Sequence, residues 1–296
     1  MQLDVKKRTE LLLSFFVKFY LILRFSFLKL PTNSSLFERS HAMPEQFITP
    51  ESTNEMSITD KFVGILSSPG EVYQSIVGAE PKKVNWGMPL LLTIIIGIIF
   101  TFVVFSQPPI QDQMAEGQLK ALQKRVADGK MTQEQMDAAI ERNPVKAGSP
   151  MFLVFGAVGV ALAGTFSLFA YSGVYFAAGK LFYKSPVTYS KVIEVVGLSF
   201  FVSAVASLMT MVIVVAMGSI YASLSPTLLI SDFDPMNKTH KLLAALNVFE
   251  FWSMFVISVG LSKVWNTALG KSIGVVGGIW VVWTLMKVFI DFGFGM

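Results

Sequence analysis

From Met56 onward the chain alternates between long runs without charge and short polar stretches. A helix needs about 20 predominantly apolar residues to cross the hydrocarbon of a bilayer. Five runs meet that requirement, near 87–106, 151–178, 192–220, 244–262 and 273–292. The first holds Leu90-Leu91-Leu92 and Ile94-Ile95-Ile96. The second and third exceed the minimum, so tilt or projection beyond the hydrocarbon is expected. The pattern predicts an all-α fold, an integral membrane bundle of five transmembrane helices.

Shorter amphipathic stretches surround the spans. Ser57-Ile58-Thr59-Asp60 caps a short helix carrying Phe62, Ile65 and Leu66, and Ser68-Pro69-Gly70-Glu71 signals the start of a second, with Val72, Tyr73 and Ile76 on its apolar side. Two such helices before a span are expected on the membrane surface. Trp86 falls where an interfacial aromatic belongs. Between spans one and two, residues 107–150 read as an extramembrane helical hairpin. Gln111 to Ala127 is one helix, Asp128-Gly129 the turn, and Thr132-Gln133-Glu134-Gln135 a capping box opening another that Asn143-Pro144 ends.

Residues 1–55 form an N-terminal extension of different character. Leu11 to Leu30 is apolar but broken by Lys18, Arg24 and Lys29, which suits an interfacial amphipathic helix; residues 31–55 are polar and without periodicity. A mis-assigned start, with translation beginning at Met43 or Met56, explains the same break.

Composition sharpens the class. Only 15% of the 296 residues are charged, against about a quarter in soluble domains. The net charge of +4 is modest, and its basic residues flank apolar runs, which points to membrane orientation and to no nucleic-acid partner. The loop after span two carries Lys180, Lys184 and Lys191 with no acid among them, and the loop after span four carries Lys263 and Lys271. Short basic loops favour the cytoplasm, so the amino terminus is assigned there. The hairpin is balanced, with six basic and six acidic residues between Gln111 and Lys146.

Helix association in lipid depends on close backbone approach, so small residues at fourfold spacing mark candidate packing faces. Span two offers Ala157-Ala161, Gly159-Ala163 and Gly173-Ala177; span three offers Ser199, Ser203 and Ser207; span five offers Gly274 and Gly278. These are expected inside the bundle. Ionisable residues within spans are costly and are functional candidates by default. The candidate intramembrane polar residues are Glu194, Glu250, Lys287 and Asp291. Glu194 lies three residues after Lys191, and Lys287 and Asp291 are four apart, so each is expected to pair. All lie toward span ends.

No Walker loop, GxSxG or HExxH motif occurs, and with no cysteine and two histidines, His41 and His240, neither thiol catalysis nor a metal centre is expected. No catalytic, cofactor-binding or metal residue is assigned, and no cofactor is expected.

Three stretches carry a family resemblance. Phe62 to Ile76, with Ser68-Pro69-Gly70-Glu71-Val72-Tyr73 at its centre, looks like a short helical entry to a first span. Tyr189 to Phe200 looks like the approach to a third, and Asn247-Val248-Phe249-Glu250-Phe251-Trp252, then Gly260-Leu261-Ser262-Lys263, looks like a Phe-x-x-Trp helix before a last span containing Trp280 and Trp283. Together they resemble the Yip1-domain family, in particular its bacterial members, over roughly 56–296. The resemblance implies a five-span bundle with a cytoplasmic amino terminus, and a bacterial inner membrane. Eukaryotic relatives are associated with vesicle trafficking and small GTPases, but a shared fold does not transfer function.

Two functional classes follow. One is a non-enzymatic multi-pass membrane protein acting by association with lipid, with itself or with other membrane proteins, in membrane organisation or trafficking-like processes. Its candidate interaction or packing residues are Phe62, Tyr73, Phe249, Trp252, Gly274 and Gly278. The other is a small transporter or channel with a polar path between the helices through Glu194, Glu250, Lys287 or Asp291.

Overall fold

The computed structural model describes residues 56–141, 146–230 and 232–290, and among them every regular element is helical. Two short helices, α1 (Ile58–Ser67) and α2 (Pro69–Val77), precede the first long one, α3 (Lys83–Phe105). The hairpin α4 (Pro108–Ala127) and α5 (Gln133–Glu141) follows. Then come α6 (Pro150–Tyr183), α7 (Tyr189–Met217), the short α8 (Lys238–Ala245), α9 (Val248–Val264) and α10 (Leu269–Phe289). Four helices, α3, α6, α7 and α10, are each long and apolar enough to cross a membrane, and α8 with α9 makes a fifth crossing if the bent pair counts as one span. The protein is a multi-pass membrane protein.

Local sequence explains most boundaries. At α1, Ser57 Oγ accepts from Asp60 N–H while Asp60 accepts from Ser57 N–H. The same reciprocal pair opens α5 between Thr132 and Gln135. Pro150 at the start of α6 follows Ser149, whose hydroxyl accepts from Phe152 N–H. Asn237 and Asn247 cap α8 and α9 through their side-chain oxygens. Ser68 departs from expectation: its hydroxyl makes no cap bond at α2. Its N–H instead returns to Gly64 O and ends α1, leaving Pro69 to open α2.

The fourth crossing also differs from the expected 244–262. The apolar pattern hides a break at Leu246-Asn247, where α8 and α9 meet at 50°. Asn247 competes for the backbone as an N-cap, so helix restarts there instead of continuing.

α7 is the central helix. α3 packs along it, α6 and α9 flank it, α1 crosses its start, and α10 lies outside against α9 and α8. Residues 191–200 of α7 are buried without interruption. Two apolar clusters fill the interior. The larger, around Leu198, Val202, Trp252 and Val256, serves the end that carries α1 and α2. The smaller, around Val104, Ile110, Val214 and Leu224, serves the hairpin end. Loop contacts agree with alternating crossings. Ser185 Oγ donates to Val264 O and Tyr183 Oη donates to Lys271 O at one end. At the other, Gln113 Nε2 donates to Gly218 O and Ile220 N–H donates to Gln113 Oε1.

The glycines that bring backbones together are not the expected ones. A methyl group added to Gly197 would collide with Trp86 Cβ and lie 2.6 Å from Trp86 Cα, so α3 and α7 touch there. Gly260 lies similarly against Val195 and Tyr73, Gly179 against Trp265, and Gly97 against Val160. Gly274 and Gly278 are exposed with open space beyond them, as is Gly159, and a methyl group on Gly173 would also meet nothing within 4 Å. The expected bundle-facing role of the Gly274/Gly278 pair is therefore corrected: α10 has α9 on one flank only, and this pair points the other way.

Candidate functional site

The start of α7 places two charged side chains inside protein. Lys191 and Glu194 are one turn apart, with side chains 9% and 1% exposed, and Lys191 Nζ lies 2.6 Å from Glu194 Oε2. The sequence anticipates this pair on a helix surface. It is instead buried, because α1 and α2 fold over the end of α7 and cover it.

Each charge holds a second element. Lys191 Nζ donates to Ile76 O and to Ala79 O, both at 2.8 Å, and so occupies the carbonyl end of α2. Glu194 Oε1 accepts from Lys82 N–H at 3.1 Å and from Asn85 Nδ2 at 2.5 Å, at the amide end of α3. A cation at a helix C-terminus and an anion at a helix N-terminus each complement the local dipole. Lys61 Nζ of α1 completes the chain by donating to Asn85 Oδ1 at 3.1 Å. One ion pair on α7 thus joins α1, α2 and α3. Beside it, Tyr73 Oη donates to Val195 O at 3.0 Å, and burial pushes the Tyr73 phenol well above its ordinary pKa.

The network leaves little room. The cavity among Lys61, Ser75, Asn85 and Glu194 is about 20 Å³, enough for about one water and not for a substrate. Charge neutralisation and helix joining account for every bond Lys191 makes.

The other candidate residues are scattered. Phe62 stacks on Phe201 of α7 with centroids 4.5 Å apart, and Tyr73 and Trp252 lie in the interior. Phe249 is half-buried against the hairpin-end cluster. Of the two roles expected of them, interaction or packing, Tyr73 and Trp252 take the second and present no free surface. Glu250 is exposed at the start of α9, ten residues before the Gly260 contact with Val195, which is roughly 15 Å of helix. It takes no part in the Glu194 network. Lys287 is exposed near the end of α10 with its ammonium 5.9 Å from the Trp283 ring. Asp291 and residues 1–55 lie outside the described residues, as does the Asn143-Pro144 stop, and so the pairing expected of Lys287 with Asp291 does too. Sequence reasoning passes over Asn85 and Lys61; their only signal is polar character close before an apolar run.

A family model described as the Yip1 domain matches residues 63–290. The chain belongs to the Yip1 domain family. The match begins inside α1 and ends at the close of α10, so the residues that meet at the buried pair of this Yip1-domain protein, apart from Lys61, fall within it. No curated protein and no solved structure matches the chain.

Proposed function

We propose that this Yip1-domain protein acts by association within a membrane, with lipid, with copies of itself or with other membrane proteins, and not by catalysis or solute transport. The observation that carries the reading is the use made of the buried charge. Lys191 and Glu194 are spent on neighbouring helix ends, and the interior beyond them, at Leu198, Val202 and Val256, is apolar. A coupled transporter instead needs ionisable groups at mid-depth with space for a solute and irregular backbone to bind it. The acid-free loops carrying Lys184 and Lys263 support a cytoplasmic location for the end covered by α1 and α2. The resemblance to bacterial members supports an inner-membrane setting.

The chain has no cysteine, so single cysteines can be read directly in intact cells with a membrane-impermeant thiol reagent. Glu71→Cys and Ala268→Cys are expected to be protected until the membrane is permeabilised, and Lys130→Cys and Leu229→Cys to be labelled from outside. Ser199→Cys and Val256→Cys, both at buried positions, are expected to stay unlabelled throughout. Labelling of Ser199→Cys or Val256→Cys in the folded protein would put water in the bundle and favour the transport reading.

A further inference from the structure

The bend between α8 and α9 changes the depth of Glu250. The sequence sets this residue toward the end of a span. In the crossing that α8 and α9 make together, it comes twelve residues after Lys238 and fourteen before Val264, close to the middle. Glu250 is exposed, so it lies on the outside of the bundle, apart from the apolar interior at Leu198, Val202 and Val256.

Two tyrosines of α6 stand beside it. Tyr171 and Tyr175 are one turn apart, and Glu250 lies close enough for its charge to act on both phenols. Tyr175 is only 7% exposed and packs in the interior cluster that also holds Trp252 and Val256 of α9. Among the described residues, the Glu250 carboxylate and the two hydroxyls make no hydrogen bond or ion pair, with one another or with any other group. Polar side chains so far from water are ordinarily satisfied. Ser258 and Ser262 of α9 follow that rule by donating to Met254 O and Val259 O. Ser172 and Ser272 break it, but their hydroxyls are fully enclosed, whereas the Tyr175 hydroxyl keeps an opening. An unpartnered carboxylate and an unpartnered, nine-tenths buried phenol at one place point to a group supplied from outside the chain.

The complement of a carboxylate and two hydroxyl oxygens is a cation that donates several hydrogen bonds. Lipid headgroups do not bring one here, because they stay about 15 Å from the middle of the hydrocarbon. A second copy does not bring one either. Among the described residues the lysines of the spans lie toward their ends, with Lys83, Lys180, Lys191 and Lys263 at one side and Lys238 and Lys287 at the other. Charges inside a membrane pair across helices, so a basic side chain on a foreign span meets both the depth and the charge.

We infer that Glu250, with Tyr171 and Tyr175, receives a lysine or arginine carried near the middle of a transmembrane helix of another protein. This rests on the association proposed above and gives that association its partner chemistry.

The test uses the full-length protein in phosphatidylcholine vesicles, with a donor dye on Lys130→Cys. The probes are synthetic single-span helices of about 20 leucine and alanine residues, each carrying an acceptor dye. They differ in one central residue, which is lysine, leucine or glutamate; a fourth carries its lysine two turns from the centre. Binding is read by energy transfer. The central-lysine helix is expected to bind about tenfold or more tightly than the leucine helix, and the displaced lysine to lose that preference. Glu250→Gln, at an exposed position, should abolish the preference, and Tyr175→Phe, which keeps the packed ring, should weaken it about threefold. Equal binding of the lysine and leucine helices, a preference that survives Glu250→Gln, or equal binding of the glutamate helix overturns the inference. So does self-association, measured between donor- and acceptor-labelled copies, that is lost in Glu250→Gln. Failure here with Ser199→Cys and Val256→Cys protected from thiol reagent removes this site and leaves the broader association reading standing.

Discussion

Replacing Gly197 by alanine tests the central packing claim at its tightest point. The added methyl would sit 2.6 Å from Trp86 Cα and closer still to Trp86 Cβ, whereas ordinary contacts begin near 3.4 Å, so α3 must retreat by at least about 0.8 Å. The obstruction is backbone, and rotating the Trp86 side chain gives no relief. Overpacking of this kind costs about 1–3 kcal/mol. The retreat also acts on Asn85, adjacent to Trp86, whose amide holds Glu194 at 2.5 Å one turn from Gly197. We therefore expect Gly197→Ala at the upper end of that range, about 3 kcal/mol. At roughly 2–4 °C per kcal/mol for a chain of this size, the melting temperature falls by about 6–12 °C. The assay is thermal unfolding of the purified protein in a mild detergent, followed by tryptophan fluorescence. Gly274→Ala and Gly278→Ala serve as matched controls with open space around them and, since alanine favours helix by about 1 kcal/mol, are expected to melt level with the parent or up to about 4 °C above it. A Gly197→Ala protein as stable as the parent, or a larger loss at Gly274 or Gly278, would refute the assignment of packing faces.

Two further outcomes follow from the buried network. Glu194→Leu strands the Lys191 ammonium inside protein and is expected to cost about 3–5 kcal/mol, whereas Lys191→Met combined with Glu194→Leu removes both charges and should be more stable than Glu194→Leu alone. A double variant no better than the single one would show that the pair is not coupled. Tyr73→Phe loses the bond to Val195 O and should cost about 1 kcal/mol near neutral pH. Because the folded phenol titrates above its ordinary value of 10.0, the folded state holds its proton longer than the unfolded state does, and stability falls as pH rises past that value. Tyr73→Phe should flatten that alkaline fall in unfolding measured across pH, and an unchanged slope would sink the argument.

The spans are legible in the sequence because a stretch such as Leu90 to Phe105 has no place in a soluble fold except a deep core, and this chain repeats such stretches. Hidden information begins where two distant segments meet. The spacing of Lys191 and Glu194 discloses a pair, but its burial depends on α1 and α2 lying across α7, more than 110 residues away in sequence. The contact glycines are illegible for the same reason. Gly197, Gly260 and Gly179 matter because Trp86, Tyr73 and Trp265 oppose them, while the fourfold spacing at Gly274 and Gly278 is a property of one helix and says nothing of what lies opposite. At the hairpin end, α4 meets the loop after α7 and the residues before α8 around Gln113, Tyr221 and Phe233, a junction that no local pattern could announce.

The break before α9 makes the bundle uneven in height. At about 1.5 Å per residue, the 17 residues of α9 extend about 26 Å, whereas the 34 residues of α6 extend about 51 Å. A hydrocarbon slab about 30 Å thick is too thick for the first and too thin for the second. The crossing through α9 is therefore completed by the bent α8, while α6 is accommodated by tilt or by projection beyond the hydrocarbon. One molecule thus meets the same slab in two ways, with a bend on one flank and surplus helix on the other.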